Sequence, residues 1–278
     1  MSAAPPRSWL FVPADSEKKI AKAIASEADA IIFDLEDSVA PDRKAAARDL
    51  LANLGPRDGG PRWWVRINPI GSDYQKDDLR LIKLPDLEGI VLPKAETGAD
   101  LTHLAHLTGG IPIHAIVTET AASLFGLLSY RDLKSPLAAM SWGAEDLSAA
   151  LGASSKHDSD GSLSFTYRMA RSLCLAGAVA AGVQPVDGVF ADFRHEAGLV
   201  EEARAAAREG FTGKLAIHPA QVAPINAAFT PSADEIAHAI AVVDAFAKNP
   251  SAGVLSVDGK MVDRPHLVQA QNTLSRIR

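Results

Sequence analysis

The chain has 278 residues, 47% of them hydrophobic, 22% charged and 6% aromatic, with a formal net charge of −6 and a single cysteine. That balance argues against a nucleic-acid surface, which draws its affinity from clustered Lys and Arg, while the lone Cys174 excludes an intrachain disulfide and points to a reducing compartment. No run approaches a membrane span and MSAAPPRS lacks the charged and apolar regions of a secretory leader, so a cytoplasmic protein with no membrane partner is expected.

In chain order, eight short apolar runs recur: WLFVPAD (9–15), AIIFDLED (30–37), RWWVRIN (62–68), EGIVLPK (88–94), IHAIVTET (113–120), AAMSWGAED (138–146), DGVFADF (187–193) and LAIHP (215–219). Runs of this kind, bounded by turn signals and separated by helical pattern, mark the strands of a buried parallel sheet. Between them 16–28, 42–54, 101–107, 166–181 and 198–209 fit amphipathic helices, several preceded by helix-start residues such as Asp15, Ser16 and Pro41. Pattern alone does not separate a closed barrel from an open doubly wound sheet. The count of eight favours an α/β fold of the (β/α)8 TIM-barrel type over residues 1–230, with chemistry at the carboxyl ends of the strands. Residues 231–278 exceed what a barrel requires. They predict a helix over 232–248, a hairpin around Asp258-Gly259 and a last helix over 264–277, an extension that packs on the barrel or on an adjacent subunit.

The strand ends carry the candidate chemistry. FDLEDSV sets Asp34, Glu36 and Asp37 together, three anions that require a cation, a base or hydrogen bonds to persist; Asp37 also reads as a simple helix cap. Arg66 and Asn68 share a face at the end of VRIN, where a guanidinium grips a carboxylate, stabilises an oxyanion or neutralises the acids of the second run. Glu119 in VTET, with Glu145 and Asp146 in GAEDL, offers hard oxygen donors without a His or Cys cluster, which suits Mg2+ or Mn2+ rather than zinc. Asp146 reads equally as an N-cap. Lys18 and Lys22 lie four residues apart near a helix start, on a solvated face or at a phosphate. Lys94 either enters the mouth or anchors nearby acids, His218 reads as a structural residue before it reads as an acid-base group, Cys174 as a packing thiol, and DSDG (158–161) lacks the spacing of a calcium loop.

Taken together and in order, RSWLFVPA, DLEDSV, VRIN, VLPK, TET, WGAEDL, DGVFADF and AIHP, with DGKMVDRPHLVQAQ in the tail, resemble the citrate lyase β-subunit-like family of acyl-CoA lyases. The resemblance implies a TIM barrel, commonly in homotrimers, that cleaves or forms malyl-CoA, citramalyl-CoA or a carrier-bound citryl thioester. It implies Glu119 and Asp146 as Mg2+ ligands, Arg66 as the substrate-binding arginine with Glu119 beside the substrate, and Glu36 with Asp37 as the acidic pair that orders water and the arginine. It further implies Asp263 as an acid-base group delivered by an adjacent subunit, and Lys18 and Lys22 as contacts to CoA. Ala14 stands where many relatives have glycine after FVP. The expected function is Mg2+-dependent, reversible carbon-carbon cleavage of a 3-hydroxy-3-carboxyacyl-CoA to a 2-oxoacid and an acyl-CoA. The alternatives are hydrolysis of malyl-CoA at the same site and a non-catalytic CoA-ester-binding subunit.

Overall fold

Strands β1 (Ser8–Pro13), β2 (Ala30–Asp34), β3 (Arg62–Arg66), β4 (Leu87–Leu92), β5 (Ile113–Ile116), β6 (Leu137–Ser141), β7 (Gln184–Asp187) and β8 (Gly213–Ala216) pair in parallel in chain order, and β8 closes on β1. This computed structural model describes residues 4–133 and 136–277. The crossovers run through α1 (Glu17–Ile24), α2 (Lys44–Ala52), the single turn α3 (Gln75–Asp78), α4 (Gly98–Thr108), the single turn α5 (Ser123–Gly126), α6 (Ala144–Ala150), α7 (Phe165–Ala181) and α8 (Glu196–Glu209), and α9 (Val222–Ala228) follows β8. The expected closed barrel is therefore the observed one. Among the described residues no helix is long and apolar enough to cross a membrane.

Alternation along the strands sorts side chains into two layers. Trp9, Ala30, Ile32, Trp64, Val91, Ile116, Ala139, Val186 and Leu215 form one cluster, whereas Ile31, Phe33, Trp63 and Val65 join the larger cluster beneath the helices. The same period carries Asp34 and Arg66, register partners on β2 and β3, onto the inner side at the carboxyl end. Deeper in the barrel His114 is hydrogen-bonded to Ser141 at 2.9 Å and lies edge-on to Trp9. Burial pushes its pKa down to about 3, so the ring is neutral.

Two strands differ from the sequence reading. β7 ends at Asp187, where the run DGVFADF begins, because Gly188 to Asp192 already form the loop beyond it; β8 starts two residues before LAIHP. Helix α4 begins earlier than expected, and the Asp100 carboxylate accepts from the backbone N–H groups of Glu96 and Thr97, fixing its first turn.

Beyond α9 lie α10 (Ala233–Lys248), β9 (Val254–Val257), β10 (Lys260–Asp263) and α11 (Arg264–Leu274), with a separate apolar cluster of Ala239, Val242, Phe246, Val257, Val262 and Ala270. Across the first turn of α10 the Ser232 N–H donates to the Glu235 carboxylate and the Glu235 N–H to the Ser232 hydroxyl oxygen. The hairpin turns through Asp258 and Gly259, both at positive φ, the geometry an Asp-Gly pair favours.

A buried charge cluster ties β7 and β8 to their helices. Asp187 accepts from Lys214 Nζ, Arg171 Nε and Trp142 Nε1, each at 2.8 Å. Burial alone would raise the Asp187 pKa; the two cations outweigh it and hold the carboxyl at about 2. Asp187→Asn leaves Lys214, itself fully buried, with only the more exposed Glu202 as its anion and Arg171 without its buried one, and should cost about 3–5 kcal/mol of folding stability in urea denaturation. Because the folded carboxyl sits below its unfolded value, the difference between wild type and variant should be full above about pH 4 and shrink as pH falls toward about 2. A difference independent of pH across that range would contradict the assignment.

Candidate active site at the barrel mouth

Arg66 is the hub of the mouth. Its Nε and Nη2 each donate to a different oxygen of Asp34 at 2.7 Å, and Nη1 lies 2.7 Å from Glu36 Oε2. The guanidinium also stacks over the Phe11 ring, 4.8 Å from its centroid. Burial would lower the Arg66 pKa, yet Asp34 and Glu36 raise it, so the charge is permanent. Burial likewise opposes ionisation of Asp34, but the arginine wins and keeps that carboxyl below its ordinary range. The guanidinium therefore neutralises the acids of β2, one of the roles read from the sequence, and still turns toward the cavity.

The second cation is Lys94, at the turn after β4. Its ammonium pairs with Glu36, lies 3.1 Å from Asp146 Oδ1 and 3.7 Å from Asp37, while its backbone N–H donates to Glu119 Oε2 at 2.5 Å. One residue thus engages Glu119 through the main chain and Asp146 through the side chain. It does so from a φ of 54°, left-handed backbone that a non-glycine residue adopts at a cost of about 1 kcal/mol or more.

Glu119 is buried, and that burial, reinforced by Glu36 and Asp146, pushes its pKa up to about 8 against the opposing hydrogen bond from Lys94. Its side chain packs against Gly143, where an added Cβ would come within 2.8 Å of Glu119 Cγ. Gly143 opens the turn into α6 that carries Glu145 and Asp146, so Glu119 packs against the start of the helix that bears Asp146. Both line a cavity of about 470 Å³, shared with Asp34, Asp37, Arg66, Phe11, Ile116 and Trp142. Among the described residues no trio of His, Cys, Asp or Glu side chains is grouped to hold an ion. Two carboxylates, with water and a ligand completing the shell, suit Mg2+ and not a closed zinc site.

The remaining expectations fall elsewhere. Lys18 and Lys22 lie on the exposed face of α1, outside the cavity lining. Asp263 caps α11 in the extension, with Oδ1 2.5 Å from His266 Nδ1, and that bond holds its carboxyl below the usual range. Asn68 turns away: its side chain donates to Asp78 Oδ2 at 2.7 Å and to the Leu35 carbonyl, because the backbone leaves the pleat beyond Arg66. His218 stacks on Phe193 with centroids 4.6 Å apart and caps the following turn, as a structural residue would. Cys174 is fully buried, and burial raises its thiol pKa. Two supports went unread. Lys44, buried, donates to the carbonyls of Leu35 and Glu36, and the Asp187 cluster fixes Trp142; a lone lysine in the apolar run KLAI was the visible sign of the second.

Comparison with known proteins follows the same lines. Residues 7–219 match the HpcH/HpaI aldolase/citrate lyase family model. A (3S)-malyl-CoA thioesterase of Cereibacter sphaeroides is 38% identical over 278 residues, covering 98% of this chain and 94% of its own. The mitochondrial citramalyl-CoA lyase of Homo sapiens is 34% identical, covering 98% and 85%. The crystal structure of CitE from Mycobacterium tuberculosis in complex with magnesium, acetoacetate and coenzyme A superimposes with a TM-score of 0.84 at 38% identity, covering 99% of both chains.

Arg66→Met strips the counter-charge from two buried carboxylates and should cost about 3–5 kcal/mol of stability, measured by urea denaturation. Adding Asp34→Asn should recover part of that loss. Strictly additive losses would show that the pair is not coupled.

Proposed function

The chain belongs to the HpcH/HpaI aldolase/citrate lyase family, and from that premise we propose that it is a Mg2+-dependent carbon-carbon lyase acting reversibly on a 3-hydroxy-3-carboxyacyl-CoA of the malyl or citramalyl type. The carrying observation is that Glu119, Asp146 and the Arg66 guanidinium face one cavity. Glu119 and Asp146 would hold the ion, and when bound it would supply Lewis-acid stabilisation of negative charge on the substrate's hydroxyl and carboxylate oxygens.

The reaction takes the proton from the 3-hydroxyl and breaks the bond between C2 and C3. The electron pair of that bond passes to the thioester as an enolate, and a proton returned to C2 gives the acyl-CoA beside the 2-oxoacid. Arg66 has N–H groups left on its terminal nitrogens after Asp34 and Glu36 are served, and these donate to the oxygen on which charge develops. Glu36 and Asp37, fixed by Arg66 and Lys94, order the arginine and the water of the mouth. Asp263, delivered from the extension of a neighbouring copy in a homo-oligomer, moves the proton at C2. Lys18 and Lys22 contact the CoA phosphates, consistent with the CoA bound in the CitE complex.

A second reading, hydrolysis of the thioester at the same site, is favoured by the thioesterase name of relatives 38% identical to this chain. Products separate the two. With malyl-CoA and Mg2+, the lyase yields glyoxylate and acetyl-CoA, resolved by mass; malate and free CoA in equal amounts would establish the hydrolase instead. Chelation should abolish turnover and Mg2+ restore it, whereas full activity in excess chelator would remove the ion from the account.

Gly143→Ala tests the ion's seat apart from turnover. The new methyl must displace Glu119, so calorimetric titration should show Mg2+ affinity reduced at least about tenfold, a second-coordination-sphere scale of effect. An unchanged isotherm would place the ion elsewhere.

A further inference from the structure

A second cavity, of about 420 Å³, lies beside the first at the mouth. Leu163, Val189 and Phe190 give it apolar wall, and Lys156, His157 and His195 line it with polar groups. Four residues line both spaces: Trp142, Ala144, Glu145 and Val189. Trp142 is the largest of them, so its indole offers the main shared wall, the partition, between the two spaces.

That partition is held in place from behind. The Trp142 Nε1 donates to Asp187 at 2.8 Å, and Asp187 is itself clamped by Lys214 and Arg171. Gly188 leaves no room for the ring to retreat, since a Cβ there would stand 2.9 Å from the indole, and the ring is 5% exposed. A buried side chain with its polar atom engaged by an ionised carboxylate does not swing aside to admit a ligand. The partition stands next to Gly143 and the turn that presents Asp146, and all three line the first cavity, so a substrate group held at that acid would lie toward Trp142.

We propose that Trp142 is a specificity-determining residue, fixing how large a substituent the 2-oxoacid half of the substrate carries by closing the first cavity from the second. The inference rests on the lyase reading of the mouth, because cleavage between C2 and C3 is what makes a 2-oxoacid half. A hydrogen or a methyl fits in front of the indole; a branched or aromatic substituent requires the space behind it.

The test compares 2-oxoacids in the condensing direction, with acetyl-CoA and Mg2+, counting hydroxyacyl-CoA and hydroxyacid together by mass so that hydrolysis does not hide the product. The readout is the ratio of kcat/KM for 2-oxoisovalerate to that for glyoxylate, which a general loss of fold or rate leaves unmoved. Trp142→Ala should raise the ratio about ten- to a hundredfold, the range set by one or two extra methylenes in an apolar pocket. Val189→Ala thins the same wall without unpairing Asp187 and should raise it by a smaller factor, which decides the matter if Trp142→Ala does not fold. Ala191→Trp, which fills the second cavity, should reverse the gain when added to either variant. A ratio within twofold of wild type in the folded variants, or a gain that Ala191→Trp leaves intact, overturns the proposal. If the wild-type chain forms no product from any 2-oxoacid, it is the reading of the mouth that fails; the partition is then judged by calorimetric affinity for the same 2-oxoacids with Mg2+, where the same ratio and the same reversal apply.

Discussion

Five carboxylates, Asp34, Glu36, Asp37, Glu119 and Asp146, converge at the carboxyl end of the barrel on two cations, Arg66 and Lys94. Like charges gathered in a partly buried space repel strongly, and burial by itself disfavours every ionised acid there. Asp34 and Glu36 meet this with a guanidinium; Asp37 and Asp146 remain partly solvated beside the ammonium. Glu119, enclosed and facing two other acids, has a backbone N–H as its nearest donor, and its raised pKa of about 8 records the deficit. Under the proposed function a divalent cation between Glu119 and Asp146 would settle that imbalance, and the same positive charge would then meet the oxygens of the substrate.

The architecture around the mouth serves that balance. Register pairing of β2 with β3 places Asp34 opposite Arg66, Lys44 holds the loop beyond β2 by its carbonyls, and Asp78 holds the loop beyond β3 through Asn68 and Arg48. At the opposite side of the ring Asp187 joins β7, β8, α7 and Trp142. The loops beyond β2, β3 and β6 are thus each held by a buried charged side chain, Lys44 of α2, Asp78 of α3 and Asp187 of β7, which steadies the site's geometry.

Much of this was legible in the sequence because two periods are simple. Eight apolar runs separated by helical pattern favour the barrel by their count, and alternation with the polar run ends brings Asp34, Arg66, Glu119 and Asp146 to the mouth. The Asp258-Gly259 hairpin and the Ser232 cap followed from local chemistry in the same way. What escaped depends on contacts between distant segments. Lys94 is legible as a cation that enters the mouth or anchors acids, but not its partner Glu36, 58 residues away, and Lys214 reads as an interruption of an apolar strand until Asp187 and Glu202 surround it. Asn68 shares the parity of Arg66 in sequence yet points to Asp78, since parity holds only while the chain remains pleated. Asp263 is legible as a helix cap before Pro265; its chemical role comes from family resemblance.

The most direct measurement is a crystal of the protein soaked with Mn2+ and a 2-oxoacid, examined by anomalous scattering. The account predicts a single strong peak at about 2.1 Å from one carboxylate oxygen each of Glu119 and Asp146, the range for a six-coordinate ion of this size, with the 2-oxoacid completing the shell on the side facing Arg66. A peak bound by other residues, or none at a concentration that supports turnover, would contradict it.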